Sequence, residues 1–334
     1  MTTSDSPDYS AGRHSALFVT TFAVLSLALV HSAHAQILSN GTGGGDWDAT
    51  GTWQDGSVPG YSDSFTVLSG DTVDSPDGHY YPLGGSTVTI DGTLDYGSQY
   101  IDFRNSTWLV TGTLTMLRFL ANHGGTDPVI DLHIDGGTVD YSSRALLTAG
   151  NTANTKANKI TLSNNGTFGG SVDTSYLNMW GPDLAATATN PVLTINGPGT
   201  FEVTTITLAD TGASTPSNTA TDIRFNFGTA AGAGALASMT STSSFGTSLT
   251  FADNPLTIDF TNIDRGAYNG NFTTTLFDYP SGGTLSGSFA TPTFIGLNAA
   301  LGETASITHN VGETRFDLEY TLVSPAKGTV ILIR

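Results

Sequence analysis

The chain has 334 residues, and its 11 Lys and Arg residues stand against 29 Asp and Glu residues, which gives a formal net charge of −18 at pH 7. A chain this acidic repels phosphate backbones, so we expect no nucleic-acid partner. It contains no cysteine, which excludes disulfide frameworks and thiol nucleophiles.

The first 35 residues resemble an export signal. An uncharged apolar run, Ala16–Val30, follows the basic Arg13 and precedes the small-x-small sequence Ala33–Ala35. A membrane span needs about 20 apolar residues, so this run is short for an anchor. We predict a signal peptide over residues 1–35, removed on export, with no transmembrane anchor afterwards. An uncleaved anchor is the alternative, because two aspartates within the first eight residues weaken the basic region.

Residues 36–84 are predicted to form an N-terminal cap. Trp47 and Trp53 lie close together in a chain with only 4 tryptophans, and two such side chains would cover the open end of a repetitive stack.

Three aspartates at a spacing of three follow within the cap, Asp71, Asp74 and Asp77, in a segment that also holds Pro76 and Gly78. Carboxylate oxygens gathered by a loop are the ligands that Ca²⁺ prefers, so these residues are our candidate calcium site and Ca²⁺ the only candidate cofactor. Ordinary aspartate turn chemistry is the alternative.

Residues 85–210 repeat one phrase five times, in which alternating apolar residues are followed by a Gly-Thr step and a further apolar residue. The Gly-Thr steps begin at residues 92, 112, 137, 166 and 199, at intervals of 20, 25, 29 and 33 residues. Such a period is typical of stacked solenoid rungs, and the growing interval indicates one lengthening loop. Each glycine is expected to let the chain bend between two flat faces.

Alternation predicts which side chains face inward. Leu132 and Ile134 lie two apart and should point into the stack, so Asp131, His133 and Asp135 should point outward, about 7 Å apart. With the nearby Asp140, the two aspartates are the candidate catalytic residues if the chain is an enzyme. A solvated strand face is the alternative.

Further side chains are also expected to point outward. Of Arg104, Arg118 and Arg144, only the last two follow their Gly-Thr steps at similar offsets, so only these two are expected to align. Outward threonines such as Thr89 and Thr113 suggest ice binding, but the sequence predicts no constant threonine position from rung to rung, which argues against it.

The rest of the chain is predicted to close the stack. Residues 211–248 are expected to be an irregular junction that holds one strand near Ile223–Phe227. Residues 249–334 are expected to supply C-terminal strands that form a cap. An independent β-sandwich binding module at the C-terminus is the alternative.

Two segments resemble secreted bacterial proteins with autotransporter-associated β-strand repeats, including those of the PEP-CTERM type. The matching residues are Gly45–Trp47, Thr52–Trp53, Gly56–Gly60, Asp63 and Phe65–Val67 near the start, and Leu276–Tyr279 and Gly283–Phe289 near the end. The resemblance implies an all-β, right-handed parallel β-helix exported to the bacterial surface or the medium. It brings no catalytic residues, and neither the terminal Pro-Glu-Pro sorting signal nor room for a translocator barrel is found.

The sequence therefore predicts a secreted or cell-surface structural or adhesive β-solenoid protein without catalytic activity. Its expected partners are extracellular polysaccharide or cell-surface components. The alternative is an extracellular β-helix polysaccharide lyase or glycoside hydrolase.

Overall fold

Almost every described residue of this chain lies in or beside a short β-strand. A computed structural model describes residues 36–60, 62–75, 85–98, 100–102, 106–120, 130–146, 158–169, 176–178, 191–196, 198–202, 205–207, 221–227, 238–241, 248–250, 253–266, 268–278, 284–286, 289–310 and 315–324. The predicted signal peptide lies outside these ranges.

The described residues form 26 strands and two single-turn 3₁₀ helices, which are η1 (Thr50–Thr52) and η2 (Ala299–Leu301). The strands in chain order are β1 (Ile37–Leu38), β2 (Gly44–Asp46), β3 (Phe65–Val67), β4 (Thr72–Asp74), β5 (Thr87–Ile90), β6 (Thr93–Asp95), β7 (Tyr100–Asp102), β8 (Ser106–Val110), β9 (Thr113–Leu120), β10 (Ile130–Asp135), β11 (Thr138–Leu146), β12 (Lys159–Ser163), β13 (Thr167–Gly169), β14 (Tyr176–Asn178), β15 (Val192–Asn196), β16 (Pro198–Glu202), β17 (Thr205–Thr207), β18 (Asp222–Asn226), β19 (Ser238–Ser241), β20 (Ser248–Thr250), β21 (Leu256–Asp259), β22 (Gly270–Asp278), β23 (Thr284–Ser286), β24 (Thr293–Ile295), β25 (Thr304–Asn310) and β26 (Arg315–Leu322).

These strands build a parallel β-helix with three faces. The first face is a sheet of ten parallel strands, one from each of ten rungs, in the order β1-β3-β5-β8-β10-β12-β15-β18-β21-β24. The second face runs β2-β4-β6-β9-β11-β13-β16-β19-β22, and the third runs β7-β9-β11-β14-β17-β20-β23. The second and third faces join because β9 and β11 are long enough to contribute to both. The predicted β-helix is confirmed, while its right-handed sense stays a prediction.

Equivalent residues stack directly over one another inside the coil. On the first face, one inward position is occupied on eight consecutive rungs by Phe65, Val88, Trp108, Leu132, Ile160, Leu193, Ile223 and Leu256. All are buried, as are Ile90, Ile134 and Leu162 in the next inward column. Each rung therefore covers the apolar side chains of its neighbours, which is how a solenoid builds a core. The inward assignment of Leu132 and Ile134 is confirmed.

The Gly-Thr steps lie where the chain passes from the first face to the second. The Thr113 N–H donates to the Gly92 carbonyl at 2.8 Å, and the Thr138 N–H donates to the Gly112 carbonyl at 2.8 Å. A Cβ added to Gly112 would lie 2.0 Å from the Gly92 carbonyl oxygen, a distance that no real contact allows. Gly92, Gly112 and Gly137 all have a negative φ. These positions therefore need glycine because the rungs approach closely there, and not because the chain bends as expected.

Tryptophans close the N-terminal end, as predicted. Trp47 and Trp53 are both buried, their ring centroids lie 5.1 Å apart with an edge-to-face geometry, and both pack against Phe65 of the second rung. The Trp53 indole N–H donates to the Trp47 carbonyl at 2.9 Å. The pair therefore covers the apolar column at its N-terminal end, beside the first rung.

An antiparallel sheet closes the C-terminal end. Strand β22 pairs in parallel with β19 of the preceding rung and antiparallel with β26, which in turn pairs with β25. Tyr320 of β26 packs its ring against Phe260 and Phe272, at centroid distances of 5.3 and 5.4 Å. The predicted C-terminal β cap is confirmed, and the change from parallel to antiparallel pairing ends the coil.

The coil extends further than the expected rungs of residues 85–210. Its first two rungs, β1–β2 and β3–β4, lie inside the segment assigned to the cap, and strands β18 and β19 of a further rung lie inside the segment expected to be irregular. The sequence signal is weaker there because the aligned threonines Thr72 and Thr240 follow Asp71 and Met239 rather than glycine. Since β21 and β24 continue the ten-stranded sheet, the C-terminal part is continuous with the stack rather than a separate sandwich.

We expect Gly112→Ala to destabilise the chain by about 3 kcal/mol, the upper end for overpacking, because its methyl group would strike the backbone of the preceding rung. Gly51→Ala is the matched control, since a Cβ there meets no atom within 4 Å and the residue has no positive φ. Urea unfolding of both variants measures the difference. Equal free energies of unfolding would contradict the proposed role of the glycine.

We also expect Leu162→Asp to abolish the cooperative thermal transition, because a buried unpaired charge costs several kcal/mol. The neighbouring Thr161 is half-buried on the outward side of the same strand, so Thr161→Asp should melt nearly as the unaltered chain does. Circular dichroism melts distinguish the two, and a full transition in Leu162→Asp would mean that the faces are reversed.

Candidate functional site

Threonines align in register along the second face, and the first five of them point outward. Seven consecutive rungs place threonine at the same register position, namely Thr72, Thr93, Thr113, Thr138, Thr167, Thr200 and Thr240. The expectation that no threonine position is constant is therefore wrong for this face. The loops differ in length from rung to rung, but the strands of adjacent rungs keep the same register. The spacing between these threonines along the sequence is therefore irregular even though they align in the structure. The Gly-Thr step was the signal that could have revealed it.

An acidic row runs beside the threonine row. Asp46, Asp74, Asp95 and Asp140 occupy one outward register position, with Thr115 between the last two. Asp95 accepts hydrogen bonds from the Thr115 hydroxyl and from the Gly97 N–H. Burial, together with the negative charge of Asp95, raises the pKa of the Asp140 carboxyl. This row concentrates negative charge on the first five rungs.

The predicted catalytic aspartates are divided between two faces. Asp131, His133 and Asp135 alternate on β10 of the first face, with their side chains outward as expected, whereas Asp140 lies on β11 of the second face. Asp131 forms an exposed ion pair with Lys159 at 3.4 Å, and Asp135 accepts a hydrogen bond from the Asn164 amide.

Strand geometry keeps the two first-face aspartates far apart. At about 3.3 Å per residue, the Cα atoms of Asp131 and Asp135 are about 13 Å apart. Paired glycosidase carboxylates lie about 5 to 9.5 Å apart. Asp131 and Asp135 are therefore separate surface charges, and each contacts a residue of the next rung.

A polar ladder continues from β10 across the first face. The His133 imidazole Nε2 lies 2.9 Å from the Ser163 hydroxyl, the Asn196 amide donates to that hydroxyl at 3.3 Å, and the Asn226 amide donates to the Asn196 carbonyl oxygen at 2.8 Å. These contacts join four consecutive rungs through their side chains and add to the backbone ladder.

Asp71 has a structural place in what we call the N-terminal clamp, formed with Ser39, Gly41 and Gly43. Its buried carboxylate accepts hydrogen bonds from the Ser39 hydroxyl and from the N–H groups of Gly41 and Gly43, both at 2.8 Å. Burial alone would raise the pKa of Asp71, but these hydrogen bonds outweigh it and the pKa is lowered. The clamp holds the loop between β1 and β2 against the second rung.

The calcium prediction is not assembled by the described residues. Asp71 is engaged in the N-terminal clamp, Asp74 lies in the acidic row, and Asp77 falls outside the described ranges. Among the residues that the structure describes, no group of three His, Asp or Glu side chains is arranged to hold a metal ion. The Ca²⁺ site stays a prediction.

Glu303 forms a second clamp, which the sequence reading missed. Its fully buried carboxylate accepts from Arg265 Nε at 2.8 Å and from the N–H groups of Asn298 at 2.6 Å and Val323 at 3.1 Å. The Arg265 hydrogen bond is the largest influence on its pKa, which falls to about 2 despite burial. This C-terminal clamp joins Arg265, the segment 298–303 and Val323. Because these residues are far apart in sequence, no local sequence pattern predicts the clamp.

A polar groove of about 350 Å³ lies on the C-terminal cap. It is lined by Asn271, Phe272, Thr273, Thr304, Ser306, Glu319, Tyr320 and Thr321. The Thr321 hydroxyl donates to the Asn271 carbonyl oxygen at 2.8 Å, so part of its hydrogen-bonding capacity is already used within the groove.

The arginine prediction is confirmed by the register of the third face. Arg118 and Arg144 are direct partners on the adjacent strands β9 and β11, while Arg104 lies outside the described residues.

Within the described part of the chain, no helix is long and apolar enough to cross a membrane.

Comparisons with protein-family models, curated proteins and solved structures find no match for this chain. The resemblance to autotransporter-associated repeat proteins therefore stays an expectation, and function must be argued from the geometry of the outer faces.

The two clamps should make the fold sensitive to acid. Both carboxylates have a lower pKa in the folded chain, so the unfolded state binds more protons and stability rises with pH. Their contribution to the free energy of unfolding is complete above the ordinary carboxyl pKa of about 4. This contribution is lost as the pH falls through the pKa of each carboxyl in the folded chain, which for Glu303 is about 2. Urea unfolding between pH 7 and pH 2 should follow this course.

Glu303→Gln should lower the free energy of unfolding at pH 7 by about 3 kcal/mol, because it leaves Arg265 without an ionic partner. The Glu303→Gln variant should also show a smaller fall in the free energy of unfolding below pH 5. Asp131→Asn, which removes an exposed ion pair, should cost less than about 1 kcal/mol. An unchanged pH dependence in Glu303→Gln would contradict the role of the C-terminal clamp.

Proposed function

We propose that the chain is a non-catalytic structural or adhesive protein of the bacterial exterior whose outer faces contact glycans. The observation that carries this proposal is the straight alignment of outward side chains over successive rungs. Threonine holds one register position on seven rungs and points outward on the five whose side chains are described, and carboxylates repeat beside it. A periodic surface of hydroxyl and carboxylate groups offers hydrogen bonds to a periodic partner, and a polysaccharide is such a partner.

The closed ends support a structural role. Exposed strand edges of a β-helix are confined to its two ends, and here tryptophans cover the apolar column at one end while β22 continues into antiparallel pairing with β26 at the other. The buried carboxylate clamps fasten both coverings. A protein built in this way remains a rigid scaffold on which surface rows keep their spacing.

The second candidate function is an extracellular polysaccharide lyase or glycoside hydrolase. One observation favours it, namely the raised pKa of Asp140, since a carboxyl with a raised pKa suits a general acid. Asp131 and Asp135 lie on another face, so Asp140 would need a partner from its own row, such as Asp95.

We expect the purified chain to be retained on immobilised polysaccharide without cleaving it. Retention is measured by surface plasmon resonance on acidic and neutral polysaccharide surfaces, and cleavage by the appearance of reducing or unsaturated ends in solution. Release of ends that is lost in Asp140→Asn, but kept in the control Asp131→Asn, would overturn the non-catalytic proposal. Antibody labelling of intact cells tests the location, and labelling only after lysis would contradict it.

A further inference from the structure

The polar groove on the C-terminal cap has the size and the wall of a small binding site. Its volume of about 350 Å³ lies within the usual range for ligand sites, about 300 to 1,000 Å³. Its polar side chains come from three neighbouring antiparallel strands, β22, β26 and β25. The register of these strands arranges six of them in two rows of three, Asn271–Thr321–Thr304 and Thr273–Glu319–Ser306.

The six side chains lie on the outer side of the cap. Five of them are exposed and Thr321 is half-buried. Phe272 and Tyr320, which alternate with them along β22 and β26, pack toward the core instead, with their rings stacked at a centroid distance of 5.4 Å. The groove is therefore a polar surface supported by an aromatic layer beneath it.

Glu319 lies at the centre of the second row and is not used in the way that its neighbour on β26 is used. Asp317, two residues earlier, is buried and accepts hydrogen bonds from the Thr275 hydroxyl at 2.8 Å and from Arg315 Nε at 3.0 Å. None of the ion pairs between described residues involves Glu319. Its carboxylate oxygens are thus acceptors that face the groove without a basic partner.

The groove offers hydrogen-bond donors as well as acceptors. The Asn271 carbonyl oxygen already accepts from the Thr321 hydroxyl at 2.8 Å, which leaves the Asn271 amide group to donate to a ligand. The hydroxyls of the groove can both donate and accept, as the hydroxyls of a sugar do. An ammonium group has donors only and would leave the Asn271 amide unpaired, while an anionic sugar would be repelled by Glu319 and by the net charge of −18.

We propose that this groove binds a neutral oligosaccharide. The Glu319 carboxylate accepts from two neighbouring sugar hydroxyls, and its charge makes these the strongest hydrogen bonds of the site. Adjacent strands lie about 4.8 Å apart, so each row spans about 10 Å, the length of about two sugar units. This inference rests on the glycan-contacting function proposed above and gives it a discrete site and a chemical class.

Isothermal titration calorimetry with hexasaccharide probes tests the site. The probes are cellohexaose and mannohexaose, which are neutral, hexagalacturonate, which is anionic, and hexaglucosamine, which is cationic in mildly acidic buffer. We expect at least one neutral probe to bind at least tenfold more tightly than either charged probe. Glu319→Gln, which keeps the shape and removes the charge, should weaken that binding at least tenfold.

A matched pair of variants on β25 locates the binding. Thr304→Val removes a hydroxyl of the groove and should weaken the neutral probe at least threefold. Thr308→Val makes the same change at an exposed position of the same strand outside the groove, and should change the affinity less than twofold. Thermal melts confirm that each variant is folded.

The outcomes separate the groove from the function proposed above. Tighter binding of a charged probe, binding of no probe, or full binding by Glu319→Gln would overturn the groove. Retention of the chain on immobilised polysaccharide in any of these cases would still support glycan contact by the surface rows. Cleavage of a bound neutral probe would overturn the non-catalytic function while leaving the groove in place.

Discussion

The structure depends on the close approach of consecutive rungs where the first face meets the second. There, a backbone N–H of one rung reaches a carbonyl of the rung before it, and on the third to sixth rungs a Cβ in place of the glycine hydrogen would strike backbone atoms of the preceding rung. Because this junction sets the register of both adjoining faces, the inward columns and the outward rows align from it. The apolar core and the surface rows are thus two consequences of one backbone contact.

Short-range pattern was enough to predict the core but not the surface. Alternation around Leu132 and Ile134 gave their inward direction, and the Gly-Thr steps gave the rungs, because both signals lie within a few residues. The threonine row was missed because loops of unequal length hide the register. Glu303 was missed because its partners lie 5, 20 and 38 residues away. The sequence predicts Asp71 as a metal ligand, whereas its partner Ser39 lies 32 residues away and is not indicated by any nearby residue.

Charge is concentrated on one face of the coil. The acidic row lies on the second face over the first five rungs, beside the threonine row. Strand β9 contributes the neutral Thr115 to this row, so Asp95 and Asp140 lie two rungs apart. Fixed neighbouring groups decide the electric field at close range, so this spacing governs how strongly the carboxylates repel one another.

The direction of the hydrogen bonds between rungs has a mechanical consequence. They run along the axis of the coil, so a pull applied between its two ends would stretch each interface in tension rather than in shear. Interfaces in series share the same force, and the weakest would open first while the others stayed closed. A tethered chain of this kind would lengthen stepwise under strain and dissipate work at every step.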